Sequence, residues 1–211
     1  MEDAPITTTK TKKGFWAKIF AILTIIFMAG WALALYAERE ENQSGEKIQL
    51  ADHTFYRLKD GTYATIININ NENKPIAFYL DPREASGIFV SAEAKNLLKS
   101  NKVYITFNPN QKNLSYFGIA GAQISRIFAL YNIPVVGAYT EDTNPIDPNV
   151  PIKTCEDANN LTAIIELKIG NSTEIMRDKQ FLNCYYIMGK NETDLIYAAD
   201  RLGYLLLGIN L

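Results

Sequence analysis

The chain has 211 residues, 47% of them apolar and 21% charged, proportions that suit a folded protein and exclude a disordered one. Charge is unevenly placed: residues 1–37 carry a balance of +2 and residues 38–211 a balance of −4. A mildly acidic domain offers no basic face, which excludes nucleic acid as a partner.

Residues 1–14 read as a basic tail containing Lys10, Lys12 and Lys13, followed by a predicted transmembrane signal-anchor over residues 15–37. Its centre, Ile19 to Ala37, is nineteen residues without a charge. As a helix it reaches about 28 Å, close to the hydrocarbon thickness of a bilayer. Trp16 at one end and Trp31 and Tyr36 toward the other suit the two interfaces, and Lys18 joins the lysines ahead of the span while Glu38, Glu40 and Glu41 follow it. The positive-inside bias then puts the N-terminus in the cytoplasm and the C-terminal domain outside. Two processing alternatives compete with an intact anchor. Small residues at Ala32, Ala34 and Ala37 offer a signal-peptidase site. Lys12-Lys13-Gly14-Phe15 resembles a type IV prepilin junction, which implies cleavage after Gly14, although Ile19 stands where that family carries an acidic residue.

Residues 38–46 form a polar stalk, and residues 47–211 read as one extracytoplasmic domain. Ile48–Leu58 and Tyr63–Ile69 are predicted strands around Asp60-Gly61, a pair that favours a type I′ hairpin turn. A strand over Pro75–Leu80, a short helix over Ala92–Ser100 and a strand over Lys102–Phe107 follow. Phe117, Ala120, Ile124, Ile127, Phe128 and Tyr131 recur at helical spacing and predict a helix from Ser115 to Tyr131. Gly118, Ala122, Ser125 and Ala129 form a second stripe suited to close packing. Val135–Tyr139 is a strand, and residues 141–153 hold three prolines and read as an extended connection. Thr162–Lys168 and Thr173–Arg177 flank Gly170-Asn171 and predict a second hairpin, with a strand at Leu182–Met188 and a helix from Glu192 to about Leu207 capped by Asn191. The expected fold is α+β: an N-terminal transmembrane helix, then one largely antiparallel sheet covered by two long helices, with a duplicated hairpin–strand–helix unit suggested by the likeness of the halves.

Cys155 and Cys184 are an even pair in a domain expected outside the cell, so a disulfide is predicted, against the alternative of two buried thiols. Asn42, Asn113, Asn160, Asn171 and Asn191 each begin an Asn-x-Ser/Thr sequon and are the predicted glycosylation sites. Neither a cofactor nor a metal is expected: nucleotide, zinc, calcium and hydrolase motifs are missing from the sequence, and two cysteines with His53 give neither the number nor the spacing of zinc ligands. Acidic clusters at Asp81–Glu84 and at Asp142, Asn144, Asp147 and Asn149 read as solvated loops, and Asp200-Arg201 as the solvent face of the last helix or a pair with its neighbours. The expected function is a non-catalytic interaction or assembly module at the cell surface, with a protein partner or a second copy of the chain. A hydrolase or carbohydrate-binding domain using surface carboxylates such as Asp81 and Glu84, and a pilin-like filament subunit, are the alternatives.

Overall fold

Alternation decides the first sheet. Tyr63, Thr65, Ile67 and Ile69 are buried while Ile66 and Asn68 face outward, the period of two expected of a strand covered on one side. The structure is a computed structural model that describes residues 45–50, 52–141 and 149–209. The basic tail, the predicted membrane segment, Asn42 and most of the stalk lie outside the described residues. Gly45–Leu211 forms one compact unit.

The chain is α+β and contains an antiparallel sheet of four strands in sequential order: β1 (Lys47–Leu50), β2 (His53–Arg57), β3 (Tyr63–Ile69) and β4 (Glu72–Phe78). The expected Ile48–Leu58 strand is thus two strands, β1 and β2, paired with each other. Asn70 and Asn71, both at positive φ, make the two-residue turn that joins Ile69 to Glu72. At Asp60-Gly61 the loop is wider than the expected two residues. Gly61 N–H donates to Leu58 O, Leu58 N–H donates to Thr62 O, and Gly61 takes the left-handed conformation that only glycine adopts freely. Pro75 sits on β4, an edge strand, where a missing N–H is tolerated.

The remaining strands correct the single-sheet expectation. β5 (Phe89–Val90), β6 (Lys102–Phe107), β7 (Val135–Tyr139), β8 (Thr162–Ile169), β9 (Glu174–Arg177) and β10 (Cys184–Gly189) form a second sheet in the order β5-β9-β10-β8-β6-β7. In it β10, β8, β6 and β7 are mutually parallel and only β9 against β10 is antiparallel. The predicted hairpin across Gly170-Asn171 does not form, because β10 inserts between β8 and β9. Without that hairpin the two halves do not share the duplicated unit. The reason is legible in burial: Ala163, Ile164, Ile165, Cys184, Tyr185 and Ile187 are all fully buried, so β8 and β10 are covered on both faces, the habit of central parallel strands.

Two α-helices are present among the described residues, α1 (Leu114–Leu130) and α2 (Glu192–Leu206). On α1 the predicted core stripe Phe117, Ala120, Ile124, Ile127 and Phe128 is buried. Of the small-residue stripe, Gly118, Ala122 and Ala129 are exposed and Ser125 is half-buried, its Oγ donating to Gly121 O; Gly121, which is outside that stripe, looks onto Ile105 and Leu167 of the second sheet. α2 is buried on more than one side because it touches both sheets. Its Tyr204 packs 4.1 Å from Phe78 and 5.9 Å from Phe55 of the first sheet, and its phenol donates to Leu80 O. Its first turn lies against Gly189 of β10, and Asn191 Oδ1 accepts the Asp194 N–H as the expected cap.

Candidate functional site

Three strands of the parallel group begin at one place. Ser100 precedes β6, Asn159 and Asn160 precede β8, and Asn183 precedes β10, so the parallel register brings these polar residues to one end of the sheet. There they line a cleft of about 490 Å³ with Asn96 and Lys99 of a 3-10 segment (Ala92–Lys99), Arg177 at the end of β9, and Gln180, Phe181 and Leu182 of the following turn. Ligands of open α/β sheets usually meet the opposite, carboxyl ends of the strands.

The floor of this cleft is held by its own hydrogen bonds. Asn183 Nδ2 donates to Asn159 O at 2.9 Å and to Ser100 Oγ at 3.2 Å, while Asn159 Oδ1 accepts from Leu161 and Thr162 N–H, both at 3.0 Å. Asp178 Oδ1 accepts from Gln180 N–H at 2.7 Å and Phe181 N–H at 2.8 Å, and the Phe181 bond, ahead of the others, holds its carboxyl below the usual range. Arg177 Nε donates to Leu182 O. Cys155 and Cys184 are joined in the predicted disulfide, and both are buried. Because Cys155 lies just before Ala158–Asn160 and Cys184 just after Leu182–Asn183, the bond ties the two walls of the cleft together.

The face of the second sheet turned away from the helices carries alternating lysines and tyrosines. Register puts Tyr104, Ile164 and Cys184 in one row and Thr106, Glu166 and Tyr186 in the next. Lys102 donates to Tyr104 Oη at 2.7 Å, and Lys168 Nζ lies 3.4 Å from the Tyr186 ring centre. Tyr186 Oη donates to Asp178 Oδ2, lies 3.3 Å from Cys155 Sγ, and is pushed up to about 12 by burial and by Asp178. Thr106 Oγ1, fully buried beneath, has no hydrogen-bond partner among the described residues.

The outer face of the antiparallel sheet carries an apolar patch, bordered by Lys47, which shares the row of Tyr56, and by the paired Asn68 and Asn73. Tyr56, Ala64 and Ala77 form one row, Ile66 and Pro75 the next, and Tyr79 continues beyond β4. Ile66 is 62% exposed on a central strand, and Tyr56 and Tyr79 are exposed beside it.

The acidic residues singled out from sequence disperse. Asp81 chelates the Arg83 guanidinium, which also bonds Glu46; burial raises the Asp81 carboxyl, but the bonds from Arg83 and Tyr63 carry it below its ordinary value. Neither Asp81 nor Glu84 lines the cleft. Asp142, Asn144 and Asp147 lie outside the described residues, and among those described no cluster of three metal-ligating side chains exists. His53 is half-buried on β2 opposite Leu50. Asp200 is not on a solvent face. It is 1% exposed, and its carboxylate accepts from Tyr79 N–H at 2.5 Å, Leu80 N–H at 2.9 Å and Gln123 Nε2 at 3.0 Å. Burial pushes it up to about 7 against those donors and Arg126. Four predicted glycosylation sites, Asn113, Asn160, Asn171 and Asn191, are exposed, and Asn113 Nδ2 donates to Glu192 at 2.6 Å. No helix among the described residues is long and apolar enough to cross a membrane.

Sequence reasoning did not assemble Asn96, Lys99, Arg177, Gln180 and Asn183. The signal available was a run of amides just ahead of three strands, which acquires meaning only when those strands are known to be parallel. Comparison with protein-family models, with curated proteins and with solved structures finds no match for this chain.

Proposed function

We propose that the chain is a single-pass membrane protein, held by residues 15–37 with its N-terminus in the cytoplasm, whose domain acts outside the cell as a non-catalytic interaction or assembly module. The lysines ahead of the apolar span support that orientation. The oxidised Cys155–Cys184 pair suits an extracytoplasmic compartment, and exposure of four sequon asparagines leaves them open to glycan addition. The observation that carries the interaction role is the outer face of β2–β4, where Tyr56, Ile66, Pro75 and Tyr79 form an apolar patch. A protein partner or a second copy of the chain takes this face.

Light scattering of the full-length chain in mild detergent, with cross-linking in its native membrane, tests the reading. Ile66→Lys places a charge at the centre of the face without touching the core. It is expected to reduce an assembled particle to a single chain or to abolish a cross-linked partner. A wild-type chain that is monomeric at high concentration and cross-links to nothing overturns the proposal.

A further inference from the structure

The cleft at the beginning of β6, β8 and β10 has a satisfied floor and an unsatisfied rim. Asn159 and Asn183 are used up in holding the walls, as described above. The side chains of Asn96, Lys99, Asn160 and Gln180 have no hydrogen-bond or ion-pair partner among the described residues, and the Arg177 guanidinium spends its Nε on Leu182 O and keeps its terminal nitrogens. Among the described residues no carboxylate lines the cleft. The Glu93 carboxylate accepts from Ser91 Oγ at 2.5 Å. Two cations therefore face the same concavity as the free amides of Asn96 and Gln180, in a domain whose net charge is negative.

The chemistry of such a rim is selective. A side-chain amide presents a donor and an acceptor side by side, matching neighbouring hydroxyls that each donate and accept. A guanidinium and an ammonium take a carboxylate, the former in a bidentate fork. Leu182, 61% exposed at the lip, adds an apolar surface of the kind a sugar ring covers with its C–H face. The volume, about 490 Å³, falls within the range of roughly 300–1,000 Å³ typical of small-molecule sites. The disulfide holds the 158–160 and 181–183 walls before any ligand arrives, which lowers the ordering cost of binding.

We propose that this cleft binds an acidic saccharide, with Lys99 and Arg177 on the carboxylate, Asn96 and Gln180 on the hydroxyls, and Leu182 against the ring. The site lies on the second sheet, apart from the apolar face of β2–β4, so it stands or falls independently of the assembly reading.

The test is ligand-observed NMR on the full-length chain in a detergent without a sugar headgroup, comparing glucuronic acid and a glucuronic-acid disaccharide with glucose. The acids are expected to bind and glucose to bind at least tenfold more weakly. Lys99 and Gln180 are exposed and hold nothing in place, so Lys99→Gln and Gln180→Ala leave the fold intact. Lys99→Gln is expected to weaken acid binding by about tenfold, the loss of one charge-assisted hydrogen bond, and to leave the weak glucose signal unchanged. Arg177→Gln is expected to do the same or more. Reduction of the disulfide is expected to weaken both acids. Equal binding of acid and neutral sugars, no binding of either acid by a folded chain at millimolar concentration, or an unchanged affinity in the Lys99→Gln, Arg177→Gln double variant overturns the proposal. So does a native chain whose own Asn160 glycan fills the cleft.

Discussion

Replacing Asp200 by asparagine separates the cost of a buried charge from the benefit of its hydrogen bonds. In the folded chain burial holds this carboxyl at about 7, and in the unfolded chain it returns to its ordinary value near 3.8. Between those values the folded state keeps a proton that the unfolded state has released. Stability therefore falls as pH rises through this window, by about 1.4 kcal/mol per unit, and the loss is complete above the folded value. From pH 4 to pH 8 the group alone removes about 4 kcal/mol. Asparagine retains an oxygen for Tyr79 and Leu80 N–H, and a rotated Gln123 amide can accept from its NH₂. The Asp200→Asn chain is therefore expected to lie within about 1 kcal/mol of the wild type at pH 5. The gap should then move by about 3 kcal/mol in favour of the variant by pH 8. Urea titrations of the full-length chain in detergent, followed by far-UV circular dichroism at both pH values, measure the gap and cancel every other titrating group. A variant less stable than the wild type by the same amount at both pH values would refute the reasoning. It would mean that the three donors and Arg126 outweigh burial and keep the carboxylate ionised.

Removing the Cys155–Cys184 bond frees a loop spanning 29 positions and is expected to lower stability by about 3–4 kcal/mol, measured by the same titration on a Cys155→Ala, Cys184→Ala chain. Gly189→Ala and Gly118→Ala should diverge. At Gly189 a methyl group meets the Leu195 backbone nitrogen at 2.2 Å, so β10 and α2 must separate, and a loss of more than about 3 kcal/mol or failure to fold is expected. At Gly118 the methyl meets nothing within 4 Å on an exposed helical position, so a gain of about 0.5–1 kcal/mol is expected in thermal unfolding. Asn191→Ala removes the α2 cap at a cost of about 1 kcal/mol, whereas Asn191→Asp keeps the cap and removes the sequon; comparing the two by thermal unfolding and glycopeptide mass separates capping from glycosylation.

Local chemistry made much of this protein readable from its residues. The period-2 alternation of Tyr63–Ile69, the 3.6-residue stripe on α1, the Asn191 cap and the pairing of the only two cysteines each depend on neighbours a few positions away or on a choice with one partner. Such features survive translation from sequence to structure because propensity, burial and hydrogen bonding agree. Strand order is another matter. A hairpin across Gly170-Asn171 satisfies every local rule, yet β10, arriving later in the chain, pairs with both flanking strands and buries Tyr185 and Ile187 completely. That choice is made by a core assembled from distant segments, and no window of sequence contains it. The same reason places Asp200 against Tyr79 and Leu80, more than a hundred positions away, and turns a residue on an apparent solvent face into a buried carboxylate. The cleft is the plainest case. Asn96, Asn160, Arg177 and Gln180 are ordinary loop and turn residues one by one. Only the parallel register of β6, β8 and β10, with a disulfide across the walls, brings their amides and cations to a single concave surface.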